Sequence, residues 1–101
     1  MKVIYTDESL EGLEESLSFF RKKVEIPEHK LSELLTKLFD RADDLVNHPF
    51  SNQKEEKLAY LNKEHRRAVE GEFKVVYYVD GDIIYVTDFF YTHMNPNNIR
   101  G

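Results

Sequence analysis

The basic residues between positions 57 and 74 form a local cluster of positive charge in the sequence. This window holds five Lys or Arg against three Glu, in a chain with 14 basic residues, 19 acidic residues and a formal charge of −5. Binding a phosphate backbone takes many cations, so the cluster is a weak nucleic-acid footprint. A protein interface facing an acidic segment is a better interpretation. A strand edge protected from aggregation by its charges explains the cluster equally well.

The remaining chemistry-bearing residues favour structure over catalysis. No cysteine is present, which excludes disulfide frameworks, zinc ribbons and thiol nucleophiles. The acidic group of Asp40, Asp43 and Asp44 is typical of a solvated helix face. No glycine-rich phosphate loop and no nucleophile elbow occurs. We therefore expect no metal and no cofactor, since the four histidines also lack metal-ligand spacing: His29, His48, His65 and His93.

Length and composition predict one domain spanning residues 1–101. A content of 41% hydrophobic and 13% aromatic residues excludes a disordered chain. No apolar run approaches the roughly 18–20 residues that cross a bilayer, and the first residues are too acidic for a signal peptide. We expect a soluble protein of a reducing, cytoplasmic compartment that does not engage membranes.

The first half of the chain reads as a strand followed by two helices. Residues 2–6 are β-branched and aromatic, which predicts a strand. Thr6 or Asp7 can cap the next helix, and Gly12 weakens it by roughly 1 kcal/mol. Apolar residues recur there at helical spacing: Leu10, Leu13, Leu17, Phe20 and Val24.

Pro27 interrupts this pattern and suits the first position of a second helix. Its apolar stripe is wider and ends before Asn47-His48-Pro49: Leu31, Leu34, Leu35, Leu38, Phe39, Ala42, Leu45 and Val46. The short connection predicts that the two helices form an antiparallel hairpin. Residues 47–57 read as a loop.

In the second half of the chain, side-chain types alternate with a period of two, which predicts β-strands. The pattern is weaker in residues 57–61 and 66–70 and stronger in residues 73–79 and 83–91. Asp80-Gly81 predicts a two-residue type I′ turn, in which Val79 opposes Asp82. This register puts one apolar face against the helices through three pairs: Val75 with Val86, Tyr77 with Ile84, and Phe73 with Asp88. It puts the remaining residues on a partly open face: Lys74, Val76, Tyr78, Ile83, Tyr85, Thr87, Phe89, Tyr91 and His93.

The predicted fold class is α+β. An N-terminal strand and an antiparallel helical hairpin pack on one face of a small antiparallel β-sheet.

Three stretches resemble the ParE/RelE superfamily of toxins from bacterial type II toxin–antitoxin modules. Residues 66–79 (RRAVEGEFKVVYYV) are similar to the family run R-x-L-x-x-G-x-Y-R-I-x-Y-x-V, and either Arg66 or Arg67 can match its arginine. Residues 80–86 resemble the family's last hairpin. Residues 90–96 (FYTHMNP) resemble the F-D-T-R-Q-N-P tail of the ParE-like, plasmid-stabilisation branch. Together with the opening strand and the two helices, the resemblance covers nearly the whole chain.

The resemblance implies a toxin held inactive by a small antitoxin, with which it can form an oligomer. ParE members poison DNA gyrase, and RelE members cleave mRNA on the ribosome. Lys74 and His93 stand where the family has catalytic or binding arginines. The lysines that ribonuclease members carry in the preceding strand are missing, because residues 58–61 are neutral.

Two functions follow as hypotheses. The first is a non-enzymatic growth inhibitor that binds gyrase and not a specific nucleic-acid sequence. Its target or antitoxin contacts would be Arg66, Arg67, Lys74, Tyr78, Tyr85, Tyr91, His93 and Asn95. The second is a metal-independent endoribonuclease, with catalytic roles for Lys74, His93 and Tyr91 or Arg67. A small dimeric domain without toxicity is a third interpretation.

The charge distribution favours the inhibitor. Residues 1–50 hold eleven of the 19 acidic residues but only seven of the 14 basic ones. The acidity therefore belongs mainly to the helical half, and the toxin-like half is near neutral. A net-acidic chain is poorly suited to docking on ribosomal RNA.

Overall fold

The computed structural model describes all 101 residues. Its elements follow in the order β1 (Lys2–Tyr5), α1 (Asp7–Lys23), α2 (Glu28–Asp43), β2 (Arg66–Glu70), β3 (Phe73–Asp80) and β4 (Ile83–Tyr91). Three short 3-10 helices span Asp44–Asn47, Glu56–Leu61 and Pro96–Asn98. The predicted α+β class is confirmed. No helix has the length and apolar character needed to cross a membrane.

The four strands form one sheet in the order β1-β4-β3-β2. The β2–β3 and β3–β4 pairs are antiparallel, but β1 runs parallel to β4. The prediction of a purely antiparallel sheet was therefore wrong. A parallel pair needs a long crossover connection, and the chain between β1 and β4 supplies it through two helices and two strands.

Helix α1 begins as predicted, with Thr6 as its N-cap. The Thr6 hydroxyl accepts a hydrogen bond from the Ser9 N–H at 3.1 Å, and the last turn carries three basic residues. The buried face differs from the expected leucine stripe, because Leu10 is 46% exposed and Val24 is 40% exposed. The residues that α1 buries are mostly small: Ser9, Gly12, Leu13, Ser16 and Phe20.

The small residues of α1 lie against the edge of β4 beyond the point where β1 ends. The Ser16 hydroxyl donates to the Phe89 carbonyl at 2.7 Å and accepts from the Tyr91 N–H at 3.1 Å. One side chain thus satisfies two main-chain groups that a neighbouring strand would otherwise pair. A Cβ atom on Gly12 would lie 1.9 Å from the Asp88 Oδ1 atom. Gly12 therefore permits a close helix–strand approach in addition to lowering helix propensity.

Helix α2 starts directly after Pro27 and buries Leu31, Leu38 and Ala42. The Arg21–Glu28 ion pair at 3.2 Å joins the end of α1 to the start of α2. Aromatic contacts place both helices on one sheet face, as predicted: Phe20 with Phe73 and Tyr91, and Phe39 with Tyr5 and Phe89.

The β3–β4 turn corrects the predicted register. Asp80 opposes Ile83, so Gly81 and Asp82 are the central turn residues, and Val79 does not oppose Asp82. Gly81 has φ +60°, and no positive φ occurs at Asp82. Glycine at the first central position is typical of a type II′ turn, not of the predicted type I′. Each β3 residue near the turn therefore pairs with a β4 residue two positions away from its predicted partner. Side chains alternate between the two faces of a strand, so a shift of two leaves these residues on their expected faces.

A β-bulge opposite Val76 and Tyr77 changes the faces beyond it. Tyr77 opposes Val86 but Val76 opposes Asp88, which leaves Thr87 as the extra residue. The two-residue shift at the turn makes the predicted Val75–Val86 and Tyr77–Ile84 pairs wrong. Every β4 residue after the bulge changes face, so the predicted Phe73–Asp88 pair was wrong as well. Phe89 and Tyr91 oppose Val75 and Phe73 in the helix-side core, not on the open face.

The other sheet face is less open than predicted. Residues 57–61 belong to the 3-10 helix Glu56–Leu61 and not to an alternating strand, and Leu58 is buried. The chain after β4 is tied to the sheet through Arg100, whose carbonyl accepts from Thr87 at 3.0 Å and whose N–H donates to Asp88 at 2.9 Å. Val76 and Phe90 are accordingly buried. Near the β3–β4 turn, Tyr78, Ile83 and Tyr85 stay half-exposed on this face.

Candidate functional site

The buried carboxylate of Glu55 brings two of the predicted site residues together. Lys74 donates to Glu55 Oε1 at 2.6 Å, and an Arg67 guanidinium nitrogen lies 3.7 Å from Glu55 Oε2. The Lys57 N–H adds a third contact at 3.3 Å. The Glu55 side chain is only 3% exposed, Lys74 17% and Arg67 28%. These two cations are held by the protein's own carboxylate.

The loop before the 3-10 helix Glu56–Leu61 accepts hydrogen bonds from both candidate arginines. Arg66 donates to the Asn52 carbonyl at 2.7 Å and lies over the Phe50 ring. Arg67 donates to the Lys54 carbonyl at 2.7 Å and to the Gln53 side chain at 2.9 Å. Both guanidinium groups therefore attach this loop to β2.

His93 lies in a different place from Lys74, although the predicted register put both on one open face. Its Nε2 atom lies 3.0 Å from a Glu72 carboxylate oxygen in the β2–β3 turn, and its ring contacts Tyr91 at 5.0 Å. The Tyr91 ring is buried against Phe20 and Phe73. Desolvation, with a smaller contribution from Glu72, raises the pKa of Tyr91. Tyr91 is thus a core residue and not part of an exposed aromatic surface.

Tyr78 and Tyr85 lie together on the half-exposed end of the second sheet face. Their rings stack at 5.2 Å, and the Lys63 ammonium lies 4.9 Å from the centre of the Tyr78 ring. His65 meets Tyr78 edge-on at 5.0 Å. Burial lowers the pKa of His65, which favours a neutral ring there. We call Lys63, Tyr78 and Tyr85 the tyrosine surface.

A concavity of about 400 Å³ lies beside the tyrosine surface. Its lining combines one aromatic ring, one cation and several polar groups: Asn62, Lys63, Glu64, Tyr78, Val79 and Asp80. Asn62 and Glu64 have φ values of 58° and 54°, which side-chain-bearing residues seldom adopt. The backbone on both sides of Lys63 is therefore strained, a feature that clusters at binding sites.

The predicted site residues therefore separate into three groups that do not converge on one cleft. Arg67 and Lys74 meet at Glu55, His93 and Tyr91 meet near Glu72, and Tyr78 and Tyr85 form the tyrosine surface. Asn95 has a local structural role, since its side chain accepts from the Asn97 N–H at 3.0 Å and caps the last 3-10 helix.

Glu55, which holds Arg67 and Lys74 in place, was not among the residues predicted from the sequence. It lies in a stretch that the sequence predicts to be a polar loop, where an additional acidic residue does not indicate a structural or functional role. Its role becomes visible only when the fold buries it beneath β2 and β3. Lys63 was part of the basic cluster, but its position over Tyr78 depends on the strained backbone around it.

A scan against models of protein families and a search of curated proteins both find no match for this chain.

Proposed function

We propose that the chain is the toxin component of a type II toxin–antitoxin module of the ParE-like, plasmid-stabilisation kind. In this proposal it inhibits bacterial growth by binding an essential protein, with DNA gyrase as the expected target. A cognate antitoxin neutralises it in the cytoplasm. The RelE-like ribonuclease and the non-toxic dimeric domain are the alternatives.

The order of the elements supports the toxin assignment. A strand, two helices and three further strands follow one another as the resemblance implies, and the motif of residues 66–79 runs from β2 through a tight turn into β3. The glycine of that motif has a structural reason, because Gly71 adopts φ +58° in the turn. The motif therefore matches a hairpin whose backbone needs glycine at this position.

One observation favours binding over RNA cleavage: the candidate catalytic residues are paired with carboxylates of the protein itself. Stabilising a pentavalent phosphate requires positive groups aimed at the developing charge. Lys74 and Arg67 instead share the Glu55 carboxylate, and His93 faces Glu72. The two groups of candidate catalytic residues contact different partners and do not form one phosphate site.

The tyrosine surface is the best candidate for contact with the target or the antitoxin. Aromatic rings with polar edges are enriched at the energetic centres of protein interfaces, and the concavity beside Tyr78 offers a place for a partner side chain. Lys63 adds a positive group suited to an acidic segment of the partner. We therefore assign partner binding to Tyr78 and Tyr85 and not to Tyr91.

Induced expression in bacteria tests the proposal. We expect growth arrest without the antitoxin and rescue when the cognate antitoxin, which the proposal expects a neighbouring small gene to encode, is co-expressed. Tyr78→Ala combined with Tyr85→Ala should relieve the arrest, whereas Tyr60→Ala, which removes a more exposed tyrosine from a different element, should not. Normal growth on expression of the unaltered chain would favour the non-toxic domain.

Assays with purified protein separate the two toxin mechanisms. The proposal expects inhibition of supercoiling by gyrase and intact mRNA in translating extracts. Cleavage of mRNA only during translation, with loss of cleavage in Lys74→Ala, would establish the ribonuclease instead. Arrest of growth with unaffected gyrase would retain the inhibitor and reject gyrase as its target.

A further inference from the structure

One flank of α1 carries apolar residues that neither the sheet nor α2 fully covers. Leu10 and Leu17 are seven residues apart on α1, and Val24 follows at the same spacing as the C-cap residue where the helix ends. Leu10 and Val24 are exposed and Leu17 is half-buried. These residues stay uncovered because α1 contacts β4 through a different side of the helix, the side that carries Gly12 and Ser16.

Charged residues are placed on both sides of Leu17 with opposite sign. Glu14 precedes Leu17 by three residues and Arg21 follows it by four, so both lie next to it on the helix surface. Glu14 forms no ion pair within the chain, and the Arg21–Glu28 pair is largely exposed. The same polarity extends along the helix, with acidic residues in its first half and basic residues in its last turn: Asp7, Glu8, Glu11, Glu14 and Glu15, then Arg21, Lys22 and Lys23.

We propose that this flank of α1 is a dimerisation surface for a second copy of the chain. A two-fold axis through Leu17 sets two α1 helices antiparallel and brings Leu17 against its own equivalent. The equal spacing then places Leu10 against Val24 of the second copy, and Glu14 beside Arg21 of the second copy. A two-fold interface must be complementary to itself, and this surface meets that condition in both its apolar and its charged positions.

The surface beside Leu17 is not closed by another element, because the residues that line it all belong to α1. A concavity of about 540 Å³ opens beside it, lined by Glu14, Leu17, Ser18, Arg21 and Lys22. Charge complementarity identifies the occupant, because a helix that is acidic at its start and basic at its end attracts an antiparallel copy of itself. The tyrosine surface lies on the other face of the sheet and is not used.

Sedimentation equilibrium of the purified chain tests this dimer with charge variants. Glu14→Arg and Arg21→Glu each replace two attractive pairs across the axis with two repulsive ones. Each variant should raise the dimer dissociation constant about tenfold, because an exposed ion pair contributes only modestly to the free energy of association. The double variant restores opposite charges and should recover the original constant. Both positions are exposed, and the Arg21–Glu28 pair that Arg21→Glu removes is itself largely exposed, so we expect each variant to fold.

A second pair of variants tests the apolar centre. Leu17→Asp places two carboxylates together at the axis and should give a monomer at every concentration, with the helical circular dichroism signal retained. Val69→Asp changes an exposed apolar residue on β2 and should leave the dimer intact. A monomeric unaltered chain would overturn the proposal. A dimer that tolerates Leu17→Asp, or charge reversals that the double variant does not rescue, would also overturn it.

Discussion

Glu55 and Asp88 are two buried carboxylates near the sheet, and they differ in how many polar partners surround them. Glu55 accepts hydrogen bonds from Lys74 and the Lys57 N–H, and Arg67 lies close to it. Asp88 accepts one main-chain bond, from Arg100, and its Oδ1 atom has no partner. Burial raises the pKa of Asp88 to about 6. Glu55 thus anchors two cations by direct contact, whereas at Asp88 desolvation outweighs the hydrogen bond and the positive charge of Arg100.

The difference bears on function because each carboxylate holds a different segment. Glu55 fixes Lys74 and Arg67 and so removes them from the surface available to a phosphate. Asp88 holds the segment after β4 in place through Arg100. This segment covers part of the second sheet face and leaves the tyrosine surface accessible. The contacts of Glu55 with Lys74 and Arg67 argue against RNA cleavage. The contact of Asp88 with Arg100 determines how much of the second sheet face stays accessible to a partner.

The largest effect is expected from Glu55→Ala. Removing the shared carboxylate leaves Lys74 and Arg67 near each other without compensation, and breaking a buried pair costs about 3–5 kcal/mol. Both cations retain some exposure, so we expect about 3 kcal/mol of lost unfolding free energy in chemical denaturation. Lys74→Ala should cost less, since Arg67 and the Lys57 N–H still contact Glu55. An equal loss in the two variants would show that Glu55 is not the centre of the cluster.

A smaller effect is expected from Gly12→Ala. The new methyl group would meet Asp88 Oδ1 at 1.9 Å, so the carboxylate must rotate and weaken its bond to Arg100. We expect a loss of about 2 kcal/mol in unfolding free energy, typical of overpacking.

The double variant with Asp88→Ala provides the control for this prediction, because it removes the clashing atom. The cost of Gly12→Ala should then largely disappear. Equal costs in the two backgrounds would show that Asp88 does not limit the approach of α1 to β4.

The smallest effect is the pH dependence contributed by Asp88. Its pKa is raised from the ordinary aspartate value of 3.8 to about 6, so the folded protein takes up a proton at a higher pH than the unfolded chain does. Asp88 therefore stabilises the fold as pH falls from 7 to 5, by about 1 kcal/mol. The measurement is the difference between the unaltered chain and Asp88→Asn in denaturation at both pH values. A difference that does not change with pH would contradict the expected protonation.

The comparison also shows what a sequence can reveal of this fold. Thr6 and Pro27 predicted the helix starts because capping acts over a few neighbouring residues. Gly81 predicted a tight turn for the same reason. The bulge at Thr87 could not be read from the sequence, since it depends on how two strands pair, and it moved Phe89 and Tyr91 to the other face. The parallel pairing of β1 is equally non-local.

The site was less predictable than the fold for a similar reason. Tyr78 and Tyr85 were placed correctly on the second sheet face because they precede the bulge. Tyr91 lies beyond it and was misplaced. The roles of Glu55 and Asp88 follow from burial, which a polar residue in a loop or a strand does not reveal in advance. Asp88 was expected opposite Phe73 and lies instead under Arg100 and Gly12.

Growth of bacteria after induced expression of Lys74→Ala, set beside the Tyr78→Ala and Tyr85→Ala double variant, tests the central claim most directly. Equal amounts of folded protein must first be confirmed for each variant. An inhibitor that binds through the tyrosine surface predicts that Lys74→Ala still arrests growth and that the double variant does not. Arrest that is lost in Lys74→Ala and retained in the double variant would contradict this account.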